Sequence, residues 1–366
     1  MRILQVIHDC ERGGVQTLAR MIEDGLTPQR FTVETAYLYP CAGLPVYQKL
    51  GCVLRLARRL WRGDFDALIA YQSTASILVG VVGRLAGCRL RIVHQTCALR
   101  ETPRLLRFFD KLAGTLGLYS ANIINSAATW AEFARYPARY RRAMILIEHG
   151  LDAPAPTRSR EAARAHFGLP PTQPVLLNVG RLTPQKNQDV LIRALACLPR
   201  THLVLAGGGP NAESFHALAV TLGVDDRLHM LGPLPAETIA DLYAAADLFV
   251  FPSTWETFGL AAIEAAMSGL PLVVADLPVL REVLRADGTG PVRFVPPHDL
   301  EDWISAIGRA LAAPAPRRDA AFVRALGSKY SRQRMIESYL SLFEAHRRLT
   351  RTELRALQPA TEKAQP

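Results

Sequence analysis

Short apolar runs alternate with longer amphipathic stretches along almost the whole chain. In the first half the runs are 3–7, 31–38, 67–71, 90–94, 123–125 and 144–147. In the second they are 175–179, 203–206, 228–231, 248–251, 272–275 and 292–295. Many are nearly continuous in Val, Ile and Leu, as in strands covered on both faces. The stretches between them have helical period, for example TIADLYAAAD at 238–247. Strand and helix alternating through two successive blocks predict an α/β protein of two doubly wound, Rossmann-like domains. Residues 151–174 carry Pro154, Pro156, Pro170, Pro171 and Pro174, a density that interrupts continuous helix or strand. The domains are therefore expected at 1–155 and 156–330. Residues 350–366 read as a polar, flexible tail.

Composition adds a bias between the halves. Of the 366 residues, 49% are hydrophobic and 21% charged, enough apolar content for two cores and too little charge for a disordered chain. Residues 1–150 hold 20 Lys and Arg against 11 Asp and Glu, so most of the net +10 lies there. That half is expected to face something anionic: a phospholipid surface, a lipid-phosphate acceptor or nucleic acid. The six cysteines form no CxxC pair and no metal-type spacing, and are read as buried free thiols of a reducing compartment. His8, Asp9 and Glu11 interrupt the apolar start before it reaches the length of a signal peptide's core. No uncharged run approaches the ~20 residues of a membrane span. The expectation is a cytoplasmic protein, peripheral on the inner face of the membrane.

The candidate chemistry lies mostly in the second half. NVGRLTPQKNQDVL (178–191) sets Arg181 just past a strand end and Lys186 near a helix start. Ligands of open α/β sheets bind at carboxyl ends of strands. Arg offers a planar fork and Lys a compact charge, a pair suited to a diphosphate leaving group. The alternative is two solvated surface cations. In ETFGLAAIE (256–264), Phe258, Gly259 and Leu260 are expected to open a helix whose free N–H groups face an anion. Glu256 and Glu264 would stand roughly 12 Å apart, too far for an acid–base pair across one bond. They are read as gripping different parts of one long ligand. Gly13 and Gly14 follow the first strand as a phosphate-approach loop. His94 ends a strand, where it either faces the cleft to hydrogen-bond sugar or phosphate or is a satisfied core histidine, while His149 is read as structural. Gly207, in GGGP, either touches a nucleobase or turns the chain. The DFD at 64–66 resembles a metal-binding pair, but no further carboxylate or histidine supports it, so no metal is expected. Arg100, Arg104, Arg107 and Lys111 share a helix face, with Leu105, Phe108, Phe109 and Leu112 covering much of the rest. That helix either lies on an anionic membrane or is an ordinary domain helix.

Together these residues resemble glycosyltransferase family 4, the retaining sugar transferases of the GT-B fold, whose two domains face across a cleft. The likeness covers most of residues 170–310. In the first half it rests on the Gly13-Gly14 loop, His94, Ser126 and EHGLD. The resemblance implies that Arg181 and Lys186 bind the donor diphosphate and Glu264 the ribose hydroxyls. It also implies that Glu256 contacts the donor sugar, that N–H groups near Phe258 and Gly259 meet the phosphate, and that Gly14 approaches the β-phosphate. His94 would sit by the reacting sugar, and a helix at 331–349 would cross back to the first domain. The implied reaction moves a sugar from a nucleotide diphosphate-sugar, a co-substrate, to a glycan or lipid-linked acceptor in envelope or exopolysaccharide assembly, with no cofactor. LPVLRE after Asp276 lacks the family's usual glycine pair, His149-Gly150 stands where many members have NG, and Asn187 follows Lys186 where glycine is common. A sugar-nucleotide epimerase or hydrolase and a catalytically silent partner subunit are the alternatives. A nucleic-acid partner is not expected, because the basic residues lack interleaved aromatics.

Overall fold

The apolar runs become strands of two helix-flanked sheets, fully buried at the centre of each sheet and partly exposed at its edges. This computed structural model describes residues 1–10, 13–29, 31–40, 44–284, 291–312 and 319–356, with side chains to 347. The first half runs β1 (Arg2–Ile7), α1 (Gly14–Leu26), β2 (Thr32–Tyr37), α2 (Val46–Arg62), β3 (Ala67–Tyr71) and α3 (Ser73–Leu85). It continues with β4 (Leu90–His94), α4 (Arg104–Thr115), β5 (Ala121–Ile124), α5 (Ala127–Glu132), α6 (Ala138–Arg142) and β6 (Met144–Leu146). The second half runs α7 (Arg160–His166), β7 (Val175–Val179), α8 (Gln188–Ala196), β8 (His202–Ala206), α9 (Ala212–Thr221) and β9 (Leu228–Gly232). Next come α10 (Ala236–Ala245), β10 (Leu248–Phe251), α11 (Leu260–Met267), β11 (Leu272–Ala275), α12 (Pro278–Leu284) and β12 (Val292–Val295). The chain closes with α13 (Leu300–Ala312), α14 (Ala320–Lys329) and α15 (Arg332–Ala356).

Each half builds a six-stranded parallel sheet, in the orders β2-β1-β3-β4-β5-β6 and β12-β11-β10-β7-β8-β9. Strand order reverses between β1 and β3 in the first sheet and between β7 and β10 in the second. Such reversals open a crevice beyond the carboxyl ends of the strands. In the first sheet, alternate residues feed opposite layers. Leu4, Val6, Leu68 and Ala70 pack with Leu56, Val79 and Ala113 of α2, α3 and α4. Ile3, Ile7, Ala67 and Ile69 pack with Leu18 and Ile22 of α1 and with Tyr339 and Phe343 of α15.

The proline-rich stretch holds more structure than the sequence reading allowed. Residues 160–166 form α7 between Pro156 and Pro170, capped by Ser159, whose hydroxyl accepts from Ala162 N–H. Buried Arg164 pairs with Asp247 at 2.5 Å, and Arg158 pairs with buried Asp241 at the same distance. These pairs fasten the stretch to residues 241 and 247, on the helix and the turn that lead into the strand at 248–251. The closing helix continues to Ala356, past the residue 350 where a polar tail was expected. Residues 357–366 of that expected tail lie outside the described residues.

Two segments cross between the domains side by side. Leu151 N–H donates to Tyr330 O (2.7 Å), and Arg332 N–H donates to Leu151 O (3.1 Å). Gly150 is there because a Cβ would stand 2.4 Å from Ser331 O, closer than any side chain tolerates. Among the described residues no helix is long and apolar enough to cross a membrane. The reading of the cysteines as buried needs correction: Cys10 and Cys197 are exposed, in the loop after β1 and at the end of α8, and Cys88 and Cys97 are half-buried. Cys41 lies outside the described residues.

Candidate functional site

The second domain supplies a charged wall at its strand-order reversal. Beyond β7 the chain turns through Gly180 and Arg181, and Gln188, fully buried, donates to Arg181 O (2.9 Å) and fixes that turn. Arg181 itself is exposed. A short 3-10 turn, Pro184–Lys186, then brings Lys186 back so that its stem packs on Gly180. Asn187 adopts a left-handed φ of 54° and donates to the carbonyls of Pro252 and Pro297, at 3.2 and 2.7 Å. Asparagine tolerates that region better than other side-chain-bearing residues, which accounts for Asn where glycine is common. Lys186 Nζ forms an ion pair with Glu256, in the loop after β10, and lies 4.7 Å from the centre of the Phe251 ring. Both partners of that pair are largely buried, and desolvated opposite charges demand each other. The sequence-predicted Lys186 and Glu256 are therefore brought together, while Arg181 stands exposed on the turn after β7.

The start of α11 lies beside them. Gly259 has φ +85°, and a Cβ there would stand 2.7 Å from Leu280, so the position is closed to other residues on two counts. The first N–H groups of a helix lack carbonyl partners and attract anions. Glu264 sits on the second turn of α11 and accepts from the Tyr243 hydroxyl (2.9 Å). Burial pushes its carboxyl above the ordinary range, partly offset by that hydrogen bond. Phe258, whose backbone N–H was expected to face an anion, precedes the α11 start. Its ring is buried against His149 (4.9 Å) and Tyr330 (5.4 Å), so it wedges the domain junction, and only its backbone is left for a ligand. Gly207 has a packing reason: with φ +149°, a Cβ would meet Gly180 O at 2.0 Å, so it lets β8 press against the loop carrying Arg181. Leu182 N–H donating to Gly208 O (2.9 Å) completes that seam.

The first domain brings its own loops to the crevice. Gly13 caps α1, and a Cβ on Gly14 would reach Leu260 at 3.5 Å, so the glycine loop faces the α11 start across the cleft. Ser126 caps α5 and also donates to Thr257 O (3.1 Å). Glu282 of the second domain accepts from the N–H groups of Ala127 and Ala128, at 2.7 and 2.8 Å. A carboxylate from one domain thus caps a helix of the other, a contact that spacing along the sequence gave no means of seeing. Two cavities, about 560 and 490 Å³, lie between the domains. They share Arg100, Trp255 and Leu277, and the second also borders Arg107, Glu132 and Glu256.

His94 is not where it was expected. Its ring is buried, hydrogen-bonded to the Tyr339 hydroxyl (3.1 Å) and tilted against the Tyr71 ring (4.6 Å), on the α15 side of the sheet. The cause is parity: Leu90 and Ile92 face α15, and residue 94 must follow them. Burial holds its pKa well below the ordinary value. His149, read as structural, is buried at the junction, 3.0 Å from Asn125 Nδ2, with its pKa lowered to about 4 by burial. Among the described residues no group of three or more His, Cys, Asp or Glu could hold a metal. Asp66 of the DFD instead accepts from Arg2 N–H (2.7 Å), anchoring the start of β1.

Two Rossmann-like sheets facing across a cleft, with a C-terminal helix returned to the first, define the GT-B class. Two solved structures share the fold. The Anabaena HepE protein, solved with UDP and glucose, superposes with a TM-score of 0.79 at 19% identity, covering 94% of this chain and 100% of that one. Sucrose-phosphate synthase from Thermosynechococcus elongatus gives 0.74 at 20%, covering 96% and 100%. Residues 159–322 match the family of group 1 glycosyl transferases. Among curated relatives, the D-inositol 3-phosphate glycosyltransferase of Nocardia farcinica is 38% identical over 205 residues, 51% of this chain and 45% of that protein. That of Mycolicibacterium smegmatis is 41% identical over 172 residues, 46% and 38% of the two chains. The matches thus span less than half the length of these relatives.

Proposed function

We propose that this protein moves a sugar from a nucleotide diphosphate-sugar to a hydroxyl of a glycan or lipid-linked acceptor, retaining the anomeric configuration and using no metal or other cofactor. The observation that carries the reading is the Lys186–Glu256 pair standing beside the α11 start and the Arg181 turn. The bond from the sugar's anomeric carbon to the β-phosphate oxygen breaks, and its electron pair stays on the diphosphate. Lys186, Arg181 and the helix N–H groups offset the charge that grows there. Glu256, released from Lys186 as the diphosphate takes over that cation, receives sugar hydroxyls, and Glu264 receives ribose hydroxyls. The acceptor oxygen bonds to the same face of the carbon, and its proton passes to the departing phosphate. No histidine base is used, in keeping with the buried ring of His94. The names of the curated relatives favour a phosphate-bearing acceptor, and the cationic first domain favours envelope or exopolysaccharide assembly at the cytoplasmic face of a membrane.

Nucleotide release from a panel of nucleotide diphosphate-sugars, with and without acceptor alcohols, tests this. A transferase releases nucleotide mainly when acceptor is present. Release or conversion independent of acceptor would establish the hydrolase or epimerase instead. Lys186→Ala should lower turnover by about a hundredfold or more while the protein stays folded. Unchanged turnover removes Lys186 from the mechanism.

A further inference from the structure

Helix α2 is apolar on two opposite sides. Cys52, Leu56 and Leu60 enter the core, whereas Tyr47, Leu50, Leu54 and Trp61 stand in solvent, the last two 61% and 60% exposed. At about 100° per residue, the two-residue offset between these sets turns them to opposite faces. Helix α4 repeats the arrangement. It buries Asp110, Ala113 and Gly114 and exposes Leu105, Phe108, Phe109, Leu112 and Leu116 at spacings of three and four. Helix α3 packs between them and exposes Leu85. One layer of the first domain therefore turns aliphatic and aromatic side chains outward from three adjoining helices, far more than a surface exposes by chance.

The charge on this layer is one-sided. Its three helices carry nine Lys and Arg, and their one acid, Asp110, is buried and receives hydrogen bonds from Tyr119 and Tyr140, at 2.9 and 2.6 Å. Arg59 is paired with Glu34 at the edge (2.8 Å), while Arg55, Arg58 and Arg62 lie exposed along the apolar stripe of α2. A second copy of the chain meeting this face about a two-fold axis would set these cations against themselves. Tyr47, Trp61, Phe108 and Phe109 stand among exposed leucines, and such an aliphatic and aromatic mixture suits an acyl-chain interface better than stacked bases.

We infer that the outer surface of α2, α3 and α4 docks on an anionic phospholipid bilayer, with its apolar side chains in the interface and its cations at the headgroups. The docked protein holds its cleft at the membrane, because Arg107 of α4 borders the cavity that reaches Glu256 while Phe108 beside it faces outward. A lipid-anchored acceptor then presents its headgroup to Arg107 and Arg100 without leaving the bilayer. This last step rests on the sugar-transfer reading above, whereas the docking does not.

Flotation of the full chain with vesicles of phosphatidylcholine, or of phosphatidylcholine mixed with phosphatidylglycerol, tests the docking. The mixed vesicles should carry the protein, pure phosphatidylcholine about tenfold less, and high salt should release part of it. Leu105→Ser with Phe108→Ser, and separately Arg58→Glu with Arg62→Glu, should each weaken binding to mixed vesicles by about tenfold or more. Both variants should keep their melting temperature and the melting shift given by nucleotide diphosphates. Failure to float, equal binding to both vesicles, or variants that float like the original chain overturn the inference. So does a dimer, or binding to a duplex oligonucleotide, that the Leu105→Ser/Phe108→Ser change abolishes. Good flotation without transfer to any acceptor would instead count against the sugar-transfer reading alone.

Discussion

Glu264 shows how one side chain can be visible in a sequence as a residue and invisible as an energy. Spacing placed it on the second turn of its helix, but the Tyr243 hydroxyl that meets it comes from α10, and its raised pKa comes from burial. The sign is clear. The folded protein holds this proton to higher pH than the unfolded chain does, so stability is greatest below the ordinary value of 4.5 and declines as pH rises through the raised value. Glu264→Gln should therefore melt above the original protein at pH 8, with the gap closing toward pH 4, while binding nucleoside diphosphate more weakly. A constant gap across that range in paired melting curves would place the cost elsewhere. Lys186 and Glu256 were legible as candidates because a cation after a strand end and an acid before a helix start stand where open α/β sheets bind ligands. Their ion pair was not, because it joins loops 70 positions apart.

At the scale of elements, all twelve apolar runs are strands, because a strand covered on both faces writes its burial directly into consecutive residues. What the runs left open was which face each side chain takes, and His94 was misplaced for that reason alone. Helix α7 escaped notice because the prolines flanking it masked a seven-residue helix whose stability comes from Asp247 and Ser159. The start of α11 offers the sharpest element-level test. Gly259→Ala imposes a left-handed strain of about 1–2 kcal/mol together with the overlap on Leu280, so denaturant melts should show a loss of about 2–3 kcal/mol. Donor affinity should fall with it as the helix start shifts. Glu282→Ala should cost about 1 kcal/mol by uncapping α5 from across the cleft, and should leave the fold of each sheet intact.

The whole molecule is joined by a junction that tolerates acid poorly. His149 is neutral and buried there, with its pKa lowered to about 4. The unfolded chain takes up that proton near pH 6.5, so stability falls as pH drops from about 6.5 toward 4. Acid titration followed by Trp fluorescence and melting temperature should show the loss in that window. A flat profile would mean that other groups compensate. Two domains and their approximate meeting point were legible from the proline cluster, whereas the return of the last helix to the first domain came from the family resemblance alone, because contacts between distant parts of the chain leave no local pattern. Tyr339 and Phe343 of α15 fill one layer of the first sheet, so Tyr339→Phe should cost about 1 kcal/mol by leaving His94 without its hydroxyl partner. Truncation after Tyr330 should expose that layer and yield aggregated protein, seen as dye binding in the void volume of a sizing column.

That helix also sets an order of events during biosynthesis. The domain translated first lacks part of its interior until the final turns leave the ribosome, so it must wait, incompletely covered, while the other domain is made. A nascent chain stalled just before residue 331 should therefore recruit chaperones through its opening segment, even though every strand of that segment has already emerged.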